Sequence, residues 1–380
     1  MLRLPSIVAV IVALLAMPAV ASSADRAPAS FFGVVAELDL LHDRALGPAG
    51  TSLEAEVREM AGAGVGSARV SFFWARMQPY QSWDEIPEAN RPDFVDVGGR
   101  PYHFAETDRL LAAAAQRRIR VMPVVLWAPI WAQRQRGEYA SPPRDPADYA
   151  AFAAVLAQRY GPKGTFWTEH PGLPRVAIRD WQVWNEPTMP GFWLDQPFAK
   201  HYVALLRATR PALRKVDPGA RVVLAGLVYN SPAALRAIYK AGGRPHFDVA
   251  AVHPFTLHVS GVGLLIERAR RMMESYGDAR KPLLVTELSW PSARDKIKFA
   301  YGYEMTEKGQ AQRITAALPY LVRRRRELRI ERVYWYTWLT REVDQSYPFD
   351  YAGLRRLEDD RVVAKPAFAA WRKTVLAHRR

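Results

Sequence analysis

The sequence predicts an α/β fold, a single (β/α)8 TIM barrel, on three observations. Eight short β-rich runs alternate with amphipathic runs along the body of the chain, the order that builds a parallel sheet with crossover helices. No linker rich in Pro, Gly or Ser and no internal repeat divides residues 25–380. Without its first two dozen residues the chain keeps roughly 355, an ordinary length for a one-domain barrel.

Residues 31–35 form the first expected strand, and 53–63 have helical spacing and end at glycines. The second strand covers 68–72, its helix 106–117, and the third strand 121–126. A helix over 147–160 is opened by Asp145-Pro146, a cap followed by a residue suited to the first turn. The fourth strand is 178–184, with a helix at 198–217; the fifth is 222–225, with a helix at 232–241. The sixth is 247–252, with a helix at 264–276, and the seventh is 283–286. A helical pattern then starts near Gly309, where Ile314, Ala317, Leu318 and Leu321 form the apolar side. Pro319 lies within it, where proline can bend a helix. The eighth strand covers 332–336 and the last helix 365–378. The long connection over 74–104 is expected to build a cleft wall.

Residues 1–24 read as a secretory signal peptide. Arg3 precedes an apolar run over 7–17, and Ala19-Val20-Ala21 supplies a cleavage signal, with a second after Ala24. An uncleaved anchor is the alternative. The expectation is a secreted protein, extracellular or periplasmic, with no integral membrane segment after cleavage.

Hydrophobic residues make up 49% and charged residues 24% of the chain, a globular mixture that excludes disorder, collagen repeats and a coiled coil. Cysteine is absent, which excludes disulfides, thiolate metal sites and a cysteine nucleophile. The formal net charge of +15 suits a polyanion, yet the one dense basic run, Arg323 to Arg326, reads as a solvated helix face. No nucleic-acid module is visible. Gly62, Gly64 and Gly66 lie between a helix and a strand, the reverse of a dinucleotide fingerprint. The eight histidines form neither H-x-H nor H-E-x-x-H, so no metal and no cofactor is expected. No interface signature stands out, and a monomer is the default.

Chemistry concentrates on two strands. The fourth ends Trp184-Asn185-Glu186-Pro187 and the seventh runs Thr286-Glu287-Leu288-Ser289-Trp290. In a barrel both glutamates fall at the carboxyl ends of strands, on the active face, and strands four and seven face each other across it. A carboxylate there is costly unless hydrogen-bonded or paired.

These segments resemble the clan A glycoside hydrolases, together with Asp248 to Pro254 and Val333-Tyr334-Trp335-Tyr336. The wording is closest to family 39 and cellulase-like barrels, across essentially the whole mature chain. The chain is too short for the added β-sandwich of the family 39 xylosidases. The resemblance implies a retaining double displacement on a polysaccharide or oligosaccharide. Glu186 would be the acid/base and Glu287 the nucleophile, with the carboxyl groups about 5–5.5 Å apart. It further implies that Asn185 binds the 2-hydroxyl of the reacting sugar and that Arg69 keeps Glu287 ionised. His253 would contact the nucleophile or the substrate.

Tryptophans at strand ends suit a sugar cleft, because indole faces stack on pyranose rings. Trp338 is the first stacking candidate, then Trp290, with Trp127 and Trp131 as a wall. Trp181, Trp184 and Trp335 read as core. Substrate identity and endo or exo action stay open. A barrel that binds polysaccharide without cleaving it is the alternative function.

Overall fold

A computed structural model describes residues 26–380. The expected leader lies outside them. Eight barrel strands are present: β1 Phe32–Val35, β2 Ser67–Phe73, β3 Arg120–Leu126, β4 Asp180–Val183, β5 in two segments, Arg221–Val223 and Leu227–Val228, β6 Ala250–His253, β7 Leu283–Leu288 and β8 Ile330–Trp335. Neighbours pair in parallel in the order β5-β4-β3-β2-β1-β8-β7-β6-β5. The first β5 segment pairs with β4 and the second with β6. Val223 also bridges to Val249, so the sheet curls onto itself as a barrel.

One helix follows each strand: α1 Leu53–Gly62, α2 Ala105–Gln116, α3 Pro146–Tyr160, α4 Ala199–Val216, α5 Ser231–Lys240, α6 Val259–Ser275, α7 Glu307–Arg324 and α8 Pro366–His378. Local chemistry sets their starts. Ser52 accepts from the Ala55 amide, Asp145 from Ala147 and Thr306 from Gly309. Two apolar clusters fill the layers. Val35, Met122, Val223, Val249, Ala251, Leu284 and Tyr334 pack inside the barrel. A larger cluster lies between strands and helices, where Phe72, Leu156 and Leu206 are buried. The interior is thus packed, a filled core and not a pore.

Several expectations change in detail. α6 begins at Val259, ahead of the apolar periodicity, because Gly261 and Gly263 hide its first turns from a propensity reading. Packing requires Gly263: a Cβ there would lie 1.9 Å from the Tyr320 hydroxyl. α7 runs unbroken through Pro319. The basic run is not simply a solvated face. Arg324 pairs with Glu267 and Glu327, and Arg325 is buried, donating to the Val322 carbonyl. The connection over 74–104 packs outward, with Trp74 stacked on Phe152 and Tyr102 on the same ring of α3. Beyond β8, residues 339–364 add a small three-stranded sheet that the sequence reading did not anticipate.

Candidate active site

A cavity of about 550 Å³ opens at the carboxyl ends of the strands. Its floor is built from β2, β4 and β7, which contribute Arg69, the Asn185-Glu186 pair and Glu287. β4 ends at Val183, and the Trp184 amide still donates to the Val125 carbonyl at 3.0 Å. The backbone then turns sharply: Trp184 and Glu186 have φ of 68° and 41°. Such conformations cost non-glycine residues of order 1–3 kcal/mol each and gather at functional sites. Asn185 and Glu186 both line the cavity as a result.

Arg69 ties the floor together through three hydrogen bonds. Nη1 donates to Glu287 Oε1, Nη2 to Asn185 Oδ1 and Nε to Gln182 Oε1, each at 2.7 Å. Gln182 is fixed in turn by donating to the Leu224 carbonyl. The guanidinium fork is thereby fully oriented, which lysine could not reproduce. His253, at the end of β6, is 1% exposed. Its Nδ1 lies 2.6 Å from Glu186 Oε1, and its Nε2 lies 3.6 Å from Glu287 Oε1 with no hydrogen-bond partner among the described residues. His253 therefore sits beneath both carboxylates, bonded to Glu186 and not lining the cavity as a substrate contact. Gly226, between the β5 segments, makes room for it: a Cβ there would lie 1.8 Å from Nε2.

One ligand atom from each of Glu186, His253 and Glu287 falls within 4.8 Å of the other two. Three such donors can suit a cation, but the Arg69 guanidinium already sits on Glu287, and its positive charge opposes one there. The same closeness couples the two glutamates, which resist simultaneous ionisation. Burial pushes the Glu186 carboxyl up to about 7, with Arg69 pulling it down. Burial also raises Glu287, opposed by a positive charge on His253, where it carries one, and by the Arg69 guanidinium, and reinforced by Glu186. Only Glu287 touches the guanidinium, so a shared proton belongs on Glu186. Burial holds His253 down at about 3, hence neutral.

The tryptophan expectations divide. Trp127 lines the cavity, stacked on Phe73 at 4.7 Å between centroids. Trp338 and Trp290 do not. Both are fully buried; Trp338 donates to Glu56 and Trp290 to the Leu257 carbonyl. As stacking platforms they are corrected to core residues. β8 ends at Trp335, so alternation along the strand no longer governs Trp338, and Tyr336 is the aromatic that reaches the cavity. Trp131 donates to the Gln78 carbonyl and is absent from the cavity wall. Trp181, Trp184 and Trp335 are core, as expected.

Sequence reasoning missed the opposite wall. Phe255, Tyr303 and Phe349 form a cluster, with Phe255 and Phe349 at 4.8 Å, and Tyr229 and Tyr301 join the lining. These residues lie on the four connections that follow β5, β6, β7 and β8, and no common spacing links one connection to the next. Glu37, just after β1, also lines the cavity and was missed.

No protein-family model matches the sequence, and no curated protein matches it. Solved structures do. A family 39 glycoside hydrolase from Bacteroides cellulosilyticus WH2 superposes with a TM-score of 0.63 at 18% identity, over 93% of this chain and 65% of that one. The catalytic domain of a family 53 glycoside hydrolase from Ignisphaera aggregans gives 0.57 at 19%, over 92% and 97%. A family 51 α-L-arabinofuranosidase from Bifidobacterium longum gives 0.61 at 12%, over 95% and 75%. The chain thus spans about two thirds of the family 39 enzyme's length. At these identities the likeness establishes the fold: a (β/α)8 barrel of the kind carried by clan A glycoside hydrolases.

Proposed function

We propose that the protein is a secreted retaining glycoside hydrolase acting on a polysaccharide or oligosaccharide, with Glu287 as nucleophile and Glu186 as acid/base. The observation that carries this reading is the placement of two unlike carboxylates within 4.8 Å at their ligand atoms. A retaining displacement needs about 5–5.5 Å between carboxyl groups, whereas an inverting one leaves about 6.5–9.5 Å for a water.

The division of labour follows from the neighbours. Glu287, held by Arg69, is the group to carry negative charge and attack the anomeric carbon. Glu186, with its pKa near 7, keeps a proton for the departing oxygen. In the neutral tautomer protonated at Nδ1, His253 donates to Glu186 Oε1, which leaves Oε2 to carry the transferable proton. The C–O glycosidic bond breaks as the ester to Glu287 forms, and the leaving oxygen takes the Glu186 proton. With Glu287 esterified, its charge is gone and Glu186 ionises more readily. It then takes a proton from water, whose oxygen displaces Glu287. Asn185, aligned by Arg69, offers its amide N–H to the sugar 2-hydroxyl.

Secretion rests on the leader expected at 1–24 and is checked by N-terminal sequencing of protein recovered outside the cytoplasm. Among the described residues no helix is long and apolar enough to cross a membrane. The mechanism is tested by proton NMR of the first product from a cleaved glycan. Retention of the anomer is expected; inversion would remove Glu287 as nucleophile.

A further inference from the structure

Glu37 is a carboxylate that no protein group satisfies. It follows β1, lines the same cavity as Glu186 and Glu287, and is partly buried. Among the described residues its side chain has no hydrogen-bond or ion-pair partner; its electrostatic neighbours are Arg69, Glu287 and Asp39. Arg69 is committed to Glu287, Asn185 and Gln182, and Asp39 is paired with Arg76. A carboxylate on a cavity wall with no protein partner keeps its acceptor oxygens available to the hydroxyls of a ligand.

We propose, resting on the glycosidase reading, that Glu37 is a specificity residue whose carboxylate accepts hydrogen bonds from hydroxyls of a neutral pyranose at the reaction centre, so that a uronic acid is rejected there. A carboxylate accepts from two donors side by side, as vicinal hydroxyls present them. A sugar carboxylate in the same place would meet Glu37, Glu186 and Glu287. Of the two guanidiniums lining the cavity, Arg69 has no donor nitrogen uncommitted, which leaves exposed Arg341. The formal charge of +15 is therefore no guide to the reacting sugar, because the cavity around that sugar is lined with acids.

Burial pushes Glu37 up to about 7, against Arg69 and with Glu287 and Asp39. Tyr336 faces it from beyond β8, itself pushed upward and neutral. Ligand hydroxyls favour the ionised form and would draw the value down, so affinity should weaken as pH falls below about 7.

The test uses matched polymers that differ only in oxidation at C6: cello-oligosaccharides against celluronate, and manno-oligosaccharides against mannuronate. Hydrolysis is followed by reducing ends, and binding by titration calorimetry with Glu287→Gln. The expected result is turnover or binding of a neutral member only. On it, Glu37→Gln should raise KM about 10- to 100-fold with little change in kcat, and the rise of wild-type KM at low pH should vanish. Glu37→Asp should recover part of the loss. A uronate cleaved as well as its neutral partner, or a wild-type KM in Glu37→Gln, overturns this inference and leaves the glycosidase reading intact. No turnover and no binding on either pair overturns it, and the wider glycan panel then judges the glycosidase reading by itself.

Discussion

Arg69 Nη1 lies 2.7 Å from Glu287 Oε1, with both side chains buried at the mouth of the barrel. This pair breaks the symmetry of a site that otherwise holds two neighbouring glutamates. An isolated buried carboxylate would take up a proton; one held by a guanidinium keeps its charge. Replacing Arg69 by methionine should therefore raise the Glu287 pKa. We expect kcat/KM to fall about 10²- to 10³-fold and the acidic limb of its pH profile to move up. Arg69→Lys should restore the limb more than the rate, since lysine supplies charge without the fork. Rate profiles of both variants check this.

Glu186 carries a stability cost that its proposed role as acid/base would explain. Its carboxyl is raised from 4.5 to about 7 in the folded protein. The folded state therefore binds more protons than the unfolded chain between those values, and stability falls as pH rises through that window. Below about 4.5 both states are protonated and the cost disappears. Glu186→Gln should accordingly melt higher than wild type near pH 8, by up to about 3 kcal/mol, and melt like it near pH 4. Activity should fall along the alkaline limb centred near the same value of about 7.

Gly226 predicts a loss of activity through a residue that touches no substrate. A methyl group there would lie 1.8 Å from His253 Nε2 and drive the ring away from Glu186. Gly226→Ala should lower kcat about 10- to 100-fold and shift the alkaline limb, with modest loss of stability. A pH–rate profile beside a thermal melt separates this from simple unfolding.

Trp127 and Trp338 should respond in opposite ways. Trp127→Ala strips the cavity wall, so KM should rise about tenfold with the melting temperature little changed. Trp338→Ala opens the core beside Glu56 and should cost about 3–5 kcal/mol, without a specific effect on KM. Chemical denaturation and steady-state kinetics on the two variants decide the point.

The strands were legible because burial on both faces leaves near-continuous apolar runs, as in Val121 to Leu126. Asn185, Glu186 and Glu287 were legible because strand ends in a barrel are active-face positions. The tryptophans were not. An indole reads as apolar and flat, and past the last strand residue no alternation says whether it turns inward or outward. Trp338 turned to the helices and Tyr336 to the cavity. Glu37 was hidden because Ala36-Glu37-Leu38-Asp39 reads as an ordinary acidic loop. Only the convergence of β1 with β2 and β7 brings it beside Arg69 and Glu287.

The proposed mechanism has Glu287 attack and Glu186 supply the proton. The most direct measurement is reducing-sugar release on a broad polysaccharide panel by wild type, Glu287→Gln and Glu186→Ala, with and without azide. The account predicts release by wild type and none by Glu287→Gln. It predicts a loss of about 10²- to 10⁴-fold in Glu186→Ala, partly restored by azide as a glycosyl azide. Undiminished release by Glu287→Gln would contradict it.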